Sequence, residues 1–112
     1  MSRRVLPLLA LLGLIGCATP GKRLLGSELA ASPVVVASLK SATAPFSLSG
    51  TMVEKCPTAG CWLRLKDATG IVKVDLKAAG FTVTDVPKNA AIQVFGRYDK
   101  KTGEVEATGL RW

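Results

Sequence analysis

The sequence predicts an all-β domain, a five-stranded OB-fold-like antiparallel barrel placed after a signal peptide and a short tether. Three observations carry that prediction. Between Phe46 and Trp112 the chain offers five stretches of strand-like composition separated by turn residues. Gly50 and Gly96 stand inside the long first and fourth stretches, where a strand must bulge or another backbone must pass close. The connection between the third and fourth is short and irregular. A β-sandwich is the alternative, but it usually needs more strands than five.

The elements follow in order. Val34-Val35-Val36 is β-branched and extended, and Ala37 to Ala42 is a short helical turn before Pro45. Phe46 to Cys56 is the first long strand. Pro57-Thr58-Ala59-Gly60 turns the chain, and Cys61 to Lys66 alternates, with Cys61, Leu63 and Leu65 on one face and Trp62, Arg64 and Lys66 on the other. Asp67-Ala68-Thr69-Gly70 is the next turn, after which Val72, Val74 and Leu76 point inward from the third strand. Lys77 to Gly80 breaks the strand pattern, and a semi-extended link closes at Pro87-Lys88-Asn89. Ala91 to Tyr98 is the fourth strand. Asp99 to Gly103 turns it into the fifth, Glu104 to Trp112, where Gly109 shifts the alternation so that Leu110 and Trp112 reach the core.

The first residues belong to transport, not to the fold. Arg3 and Arg4 precede an apolar run from Val5 to Ile15, too short to span a bilayer comfortably, so residues 1–16 read as an export signal. Leu14-Ile15-Gly16-Cys17 resembles the bacterial lipobox, which implies lipidation of Cys17 and a membrane-anchored protein. Ala18 after that cysteine favours the outer membrane. Residues 17–32, with Pro20, Gly21 and Gly26 and no sustained periodicity, read as a flexible tether, and the barrel domain occupies 33–112.

Charge and composition narrow the function. The whole chain carries 15 basic and 8 acidic side chains, a formal charge of +7. Loss of Arg3 and Arg4 on processing leaves a moderately basic domain facing lipid headgroups and envelope polymers, so nucleic acid is set aside as a partner. There is no histidine. That excludes Ser-His-Asp and Cys-His catalysis and histidine-liganded metals, and no enzymatic activity, cofactor or metal is expected.

With Cys17 taken by lipid, Cys56 and Cys61 remain as a pair in an oxidising compartment. Facing each other across the turn, they set a register that opposes Met52 to Leu65, Lys55 to Trp62 and Val53 to Arg64. One reading is a disulfide closing a six-residue loop, worth roughly 2 kcal/mol in the chain-entropy model. The other is a Cu(I) or thiol-redox site, with Met52 or Trp62 as possible additions. On the outer face Trp62, Arg64, Lys55, Lys66 and Lys73 form a candidate ligand surface, with Asp75 opposite Trp62.

The run Gly50-Thr51-Met52-Val53-Glu54-Lys55-Cys56, followed by Gly60-Cys61-Trp62-Leu63-Arg64-Leu65-Lys66-Asp67, resembles an uncharacterised family of small bacterial envelope lipoproteins with a predicted OB-fold. The Gly-Cys-Trp core is its specific part. The resemblance implies a fold and a location, and no reaction. The expected function is therefore a lipid-anchored cell-envelope binding module for an anionic or carbohydrate polymer or a protein partner. A copper or thiol-redox accessory using Cys56 and Cys61 is the alternative, and a structural lipoprotein without a small ligand is the third reading.

Overall fold

Alternation between Phe46 and Trp112 becomes, in the computed structural model, five strands that close on themselves. Residues 20–28, 31–43 and 45–112 are described; the export signal and Cys17 lie outside them. The strands are β1 (Leu24–Gly26), β2 (Ser32–Val34), β3 (Phe46–Lys55), β4 (Trp62–Asp67), β5 (Gly70–Asp75), β6 (Ala91–Asp99) and β7 (Glu104–Arg111). The last five match the expected set. The helical turn expected before Pro45 is a 3-10 segment, Val36–Ser41.

Closure depends on β3 belonging to two ladders. Its first half pairs antiparallel with β6, from Phe46↔Gly96 to Thr51↔Ala91, and its second half pairs with β4, from Thr51↔Lys66 to Lys55↔Leu63. β4 pairs with β5, β5 runs parallel to β7 at Val74↔Val105 and Asp75↔Glu106, and β7 returns to β6. The circuit β3-β4-β5-β7-β6-β3 is a closed five-stranded barrel of the OB type. Such a path brings backbones together where the strands bend. A Cβ on Gly50 would collide with the Lys66 carbonyl, and one on Gly96 with the Glu106 carbonyl. The shift expected near Gly109 is present as a break of register, with Phe95 opposite Gly109 and Gly96 opposite Ala107.

Inward positions fill the barrel. Leu48, Met52, Leu63, Leu65, Val74, Ile92, Val94, Val105 and Leu110 are fully buried. Each such side chain contributes about 1.5–3 kcal/mol by leaving water. Leu76, Val83 and Val86 close the end where β3 turns into β4, and Leu39 and Phe46 close the other.

Leu39 reaches the core because one carboxylate holds its segment. Asp67 accepts hydrogen bonds from the Thr69 hydroxyl and from the Thr69 and Gly70 N–H groups within its own turn, and from the Val36 N–H at 2.8 Å across the barrel mouth. The Thr69 hydroxyl in turn accepts from the Ala37 N–H at 3.0 Å. Partial burial acts to raise the Asp67 pKa, but these four hydrogen bonds outweigh it and hold the carboxyl below its usual range.

Part of the stretch expected as a tether, residues 24–26 and Ser32, is paired with the barrel. Leu24, Leu25 and Gly26 pair antiparallel with Arg111, Leu110 and Gly109, and Ser32 to Val34 pair parallel with Phe46 to Leu48. β1 can pair because β5 leaves β7 at Glu106, so the rest of that β7 edge has free hydrogen-bonding groups. Gly109 permits the approach, since a Cβ there would overlap the Ser27 carbonyl. Arg111 and Glu28 form an ion pair on the same segment. No helix among the described residues is long and apolar enough to cross a membrane.

Candidate functional site: the cysteine turn and the tryptophan face

β3 and β4 meet in the expected register at Met52↔Leu65, then part from it. A bulge between Met52 and Glu54 leaves Val53 without a partner and advances β3 by one residue, giving Glu54↔Arg64 and Lys55↔Leu63. Every side chain beyond the bulge therefore changes face. Two expectations change with it.

First, Lys55 is not on the outer face. It stands opposite inward-facing Leu63, and its ammonium donates to the carbonyls of Val83 at 3.2 Å, Thr84 at 3.0 Å and Val86 at 2.6 Å. All three donors are engaged, so Lys55 clamps the β5–β6 link to the hairpin and is unavailable to a ligand. Second, Cys56 does not face Cys61. Its N–H donates to the Trp62 carbonyl at 3.0 Å, while the Cys61 carbonyl accepts from Leu76 on the other side. Offset by one residue, the two cysteines stand as half-buried free thiols in this structure. Met52, which precedes the bulge, keeps its expected inward place opposite Leu65 and is fully buried, so it is not available to a metal at the rim. No group of three or more His, Cys, Asp or Glu gathers among the described residues.

The turn has its own order. Gly60 is buried with φ +61, its carbonyl accepts from the Val83 N–H at 3.0 Å, and a Cβ there would press on Thr84. This fold of the backbone gathers donors around one sulfur. The Thr58 hydroxyl stands 3.5 Å from Cys56 Sγ. That hydroxyl is the largest influence on the thiol, followed by the N–H groups of Ala59 and Thr58; burial opposes them weakly, and the Cys61 N–H adds to them. Together they pull the Cys56 pKa down to about 6. A thiol in such a setting is largely thiolate at neutral pH.

On the outer face the expected partners do meet. Trp62 is half-buried opposite Asp75, with the Arg64 guanidinium 5.1 Å and the Lys73 ammonium 5.3 Å from its ring centroid. Both distances fall within cation–π range. Each cation also has an acid the sequence reading did not place there. Arg64 pairs with Glu54, and Lys73 lies 3.7 Å from Glu104. Glu54 arrives through the bulge and Glu104 through the parallel β5–β7 contact, and neither has a local sequence signal. Asp75 accepts from the Lys77 N–H at 3.0 Å. Lys66 is exposed at the far end of β4, where it lines a groove of about 570 Å³ with Ser49, Thr51 and Val53. The face is thus an aromatic ring among paired charges, and not a plain basic patch.

No protein-family model and no curated protein matches the chain. Among solved structures, the hypothetical protein ygiW from E. coli is similar at 25% identity, with 70% of this chain and 85% of that one covered and a TM-score of 0.51. The telomere capping protein Ten1 from Saccharomyces pombe is similar at 18% identity, over 70% of this chain and 76% of that one, with a TM-score of 0.54. A chain of the S. pombe Stn1–Ten1 complex is similar at 20% identity, over 74% and 75%, with a TM-score of 0.55. These likenesses place the barrel among OB-folds and leave open what it binds.

Proposed function

We propose that this protein is a lipid-anchored binding module of the cell envelope, and that its ligand is a carbohydrate-containing polymer held on the Trp62 face. The observation that carries the reading is Trp62 itself, half-buried on the outer face of β4 and flanked by Arg64 and Lys73, each with its own carboxylate. OB-folds commonly engage oligomeric ligands on this face. A sugar ring stacks on an indole, and its hydroxyls need both donors and acceptors. Arg64, Lys73, Glu54, Glu104 and Asp75 supply both kinds around one ring. A polyanion, by contrast, would have to displace those acids, which is why the anionic-polymer part of the expectation carries less weight.

The test is calorimetric titration with soluble glycan fragments released from cell walls, with single-stranded DNA as the polyanion control. Trp62→Ala is expected to weaken glycan binding about tenfold, a change of about 1.4 kcal/mol. Equal affinity in that variant sinks the reading. DNA binding that falls steeply with salt would instead put a polyanion on this surface. With a telomere capping protein among the fold neighbours, the sequence argument against nucleic acid is not borne out. A protein partner is a further occupant to test, since one neighbour was solved in a complex.

The anchor rests on the Arg3-Arg4 start, the apolar run and Gly16-Cys17. In an exporting bacterial host, Cys17→Ala is expected to move the protein from the membrane to the soluble fraction. Unchanged partitioning of that variant would remove the anchor from the proposal.

A further inference from the structure

The cysteine turn has chemistry that the Trp62 face does not use. We propose that it is a thiol–disulfide exchange site, in which Cys56 attacks an exposed organic disulfide and Cys61 resolves the product. Three features support it, independently of any glycan.

The two sulfurs have different surroundings. Cys56 Sγ has the Thr58 hydroxyl at 3.5 Å and N–H groups of the turn directed at it, so its anion is stabilised, and it is half-buried. The second thiol belongs to the residue beside Trp62, whose carbonyl accepts the Cys56 N–H at 3.0 Å, so the two cysteines lie on adjoining positions at one end of the hairpin. The pair is also not in a register that favours a permanent bridge. Cys56 faces Trp62 across the ladder, and joining it to Cys61 requires the turn to move and Cys56 to give up the donors that stabilise it. Bridges of that kind are the readily reduced ones.

The steps balance. Cys56 thiolate forms a bond to one sulfur of R–S–S–R′ as the S–S bond breaks, and R′S⁻ leaves and takes a proton from water. Cys61 then gives its proton to solvent and attacks Cys56 Sγ, and RS⁻ leaves and is protonated. Two protein thiols become one disulfide, and two electrons reduce the partner disulfide to two thiols. In the reduced protein the base of the turn is held at both flanks. Val83 N–H on the Gly60 carbonyl, Leu76 N–H on the Cys61 carbonyl and the Lys55 clamp fix its base.

Oxidised glutathione is the probe, added to the reduced, processed protein and followed by intact mass. The wild type is expected to end as an internal disulfide without retained glutathione, and Cys61→Ser as a stable mixed disulfide on Cys56. In Cys56→Ser, Cys61 should react about tenfold more slowly than Cys56 does in Cys61→Ser. Thr58→Val, which leaves both sulfurs in place, should slow Cys56 several-fold with an unchanged circular dichroism spectrum. Equal rates at the two cysteines, or glutathione retained by the wild type, would overturn the proposal. So would protein isolated with a Cys56–Cys61 bridge that mild dithiol cannot open under native conditions, which makes the pair a staple.

Discussion

Gly96→Val is expected to cost the domain its fold. Gly96 lies where β6 passes close to β7, at the break of register after Phe95. A Cβ there would meet the Glu106 carbonyl and stand 3.0 Å from the Ala107 Cα. Both obstacles are backbone, so no rotamer change relieves them. Moving β7 away would break its contacts with β6 and with β5, because Val105 and Glu106 form the whole parallel β5–β7 ladder. That ladder closes the barrel. Overpacking of this kind costs about 3 kcal/mol or more, against a total near 5 kcal/mol for a domain this small. Urea denaturation should show a largely unfolded protein, with Gly96→Ala showing a smaller loss. A Gly96→Val protein that unfolds at the wild-type midpoint would mean that the close crossing does not constrain the barrel.

Asp67→Ala is expected to have the second largest effect, about 3 kcal/mol. It deprives three N–H groups and the Thr69 hydroxyl of their acceptor at once, and it frees the Val36–Ser41 segment that carries Leu39 into the core. Its acid dependence has a definite sign. Because the hydrogen-bonded carboxylate has a folded pKa below its unfolded one, its contribution is complete above the unfolded value of about 3.9. It is lost as pH falls through the folded value. Wild type minus Asp67→Asn should therefore show a stability gap at pH 6 that narrows below about pH 4. Thermal melts across that range measure it, and a gap independent of pH would assign the effect to packing alone.

The five barrel strands are legible because their signal is local. Leu63 and Leu65, or Val72 and Val74, show their inward face within six residues, and turn residues mark each end. The Val53 bulge has no such mark. Valine suits either face of a strand, and Glu54 and Lys55 are both charged, so the alternation reads equally well with or without the extra residue. One undetected residue misplaced Lys55 and paired Cys56 with Cys61. The trio of Trp62, Arg64 and Lys73 survived because it lies entirely on β4 and β5, whose register has no bulge. Glu104 joins it from a strand some thirty residues later, a contact only the closed topology creates. β1 and β2, three residues each, are too short to carry a period. Their pairing is decided by edges left open elsewhere.

The docking of β1 also fixes a direction. β1 runs antiparallel to β7, so the chain enters beside Arg111 and Trp112, at the pole where β3 turns into β4 and the two cysteines lie. From Cys17 to Arg23 is six residues, and an extended chain covers at most about 3.6 Å per residue. In an anchored protein the lipidated cysteine would therefore lie at most about 20 Å from Arg23. The thiol pole would then stay within roughly a bilayer's thickness of the lipid surface, and the turns at the opposite pole would project outward. The cysteine turn would thus sit on the membrane side of the barrel, while Lys66 and its groove, one strand length higher, would sit on the far side.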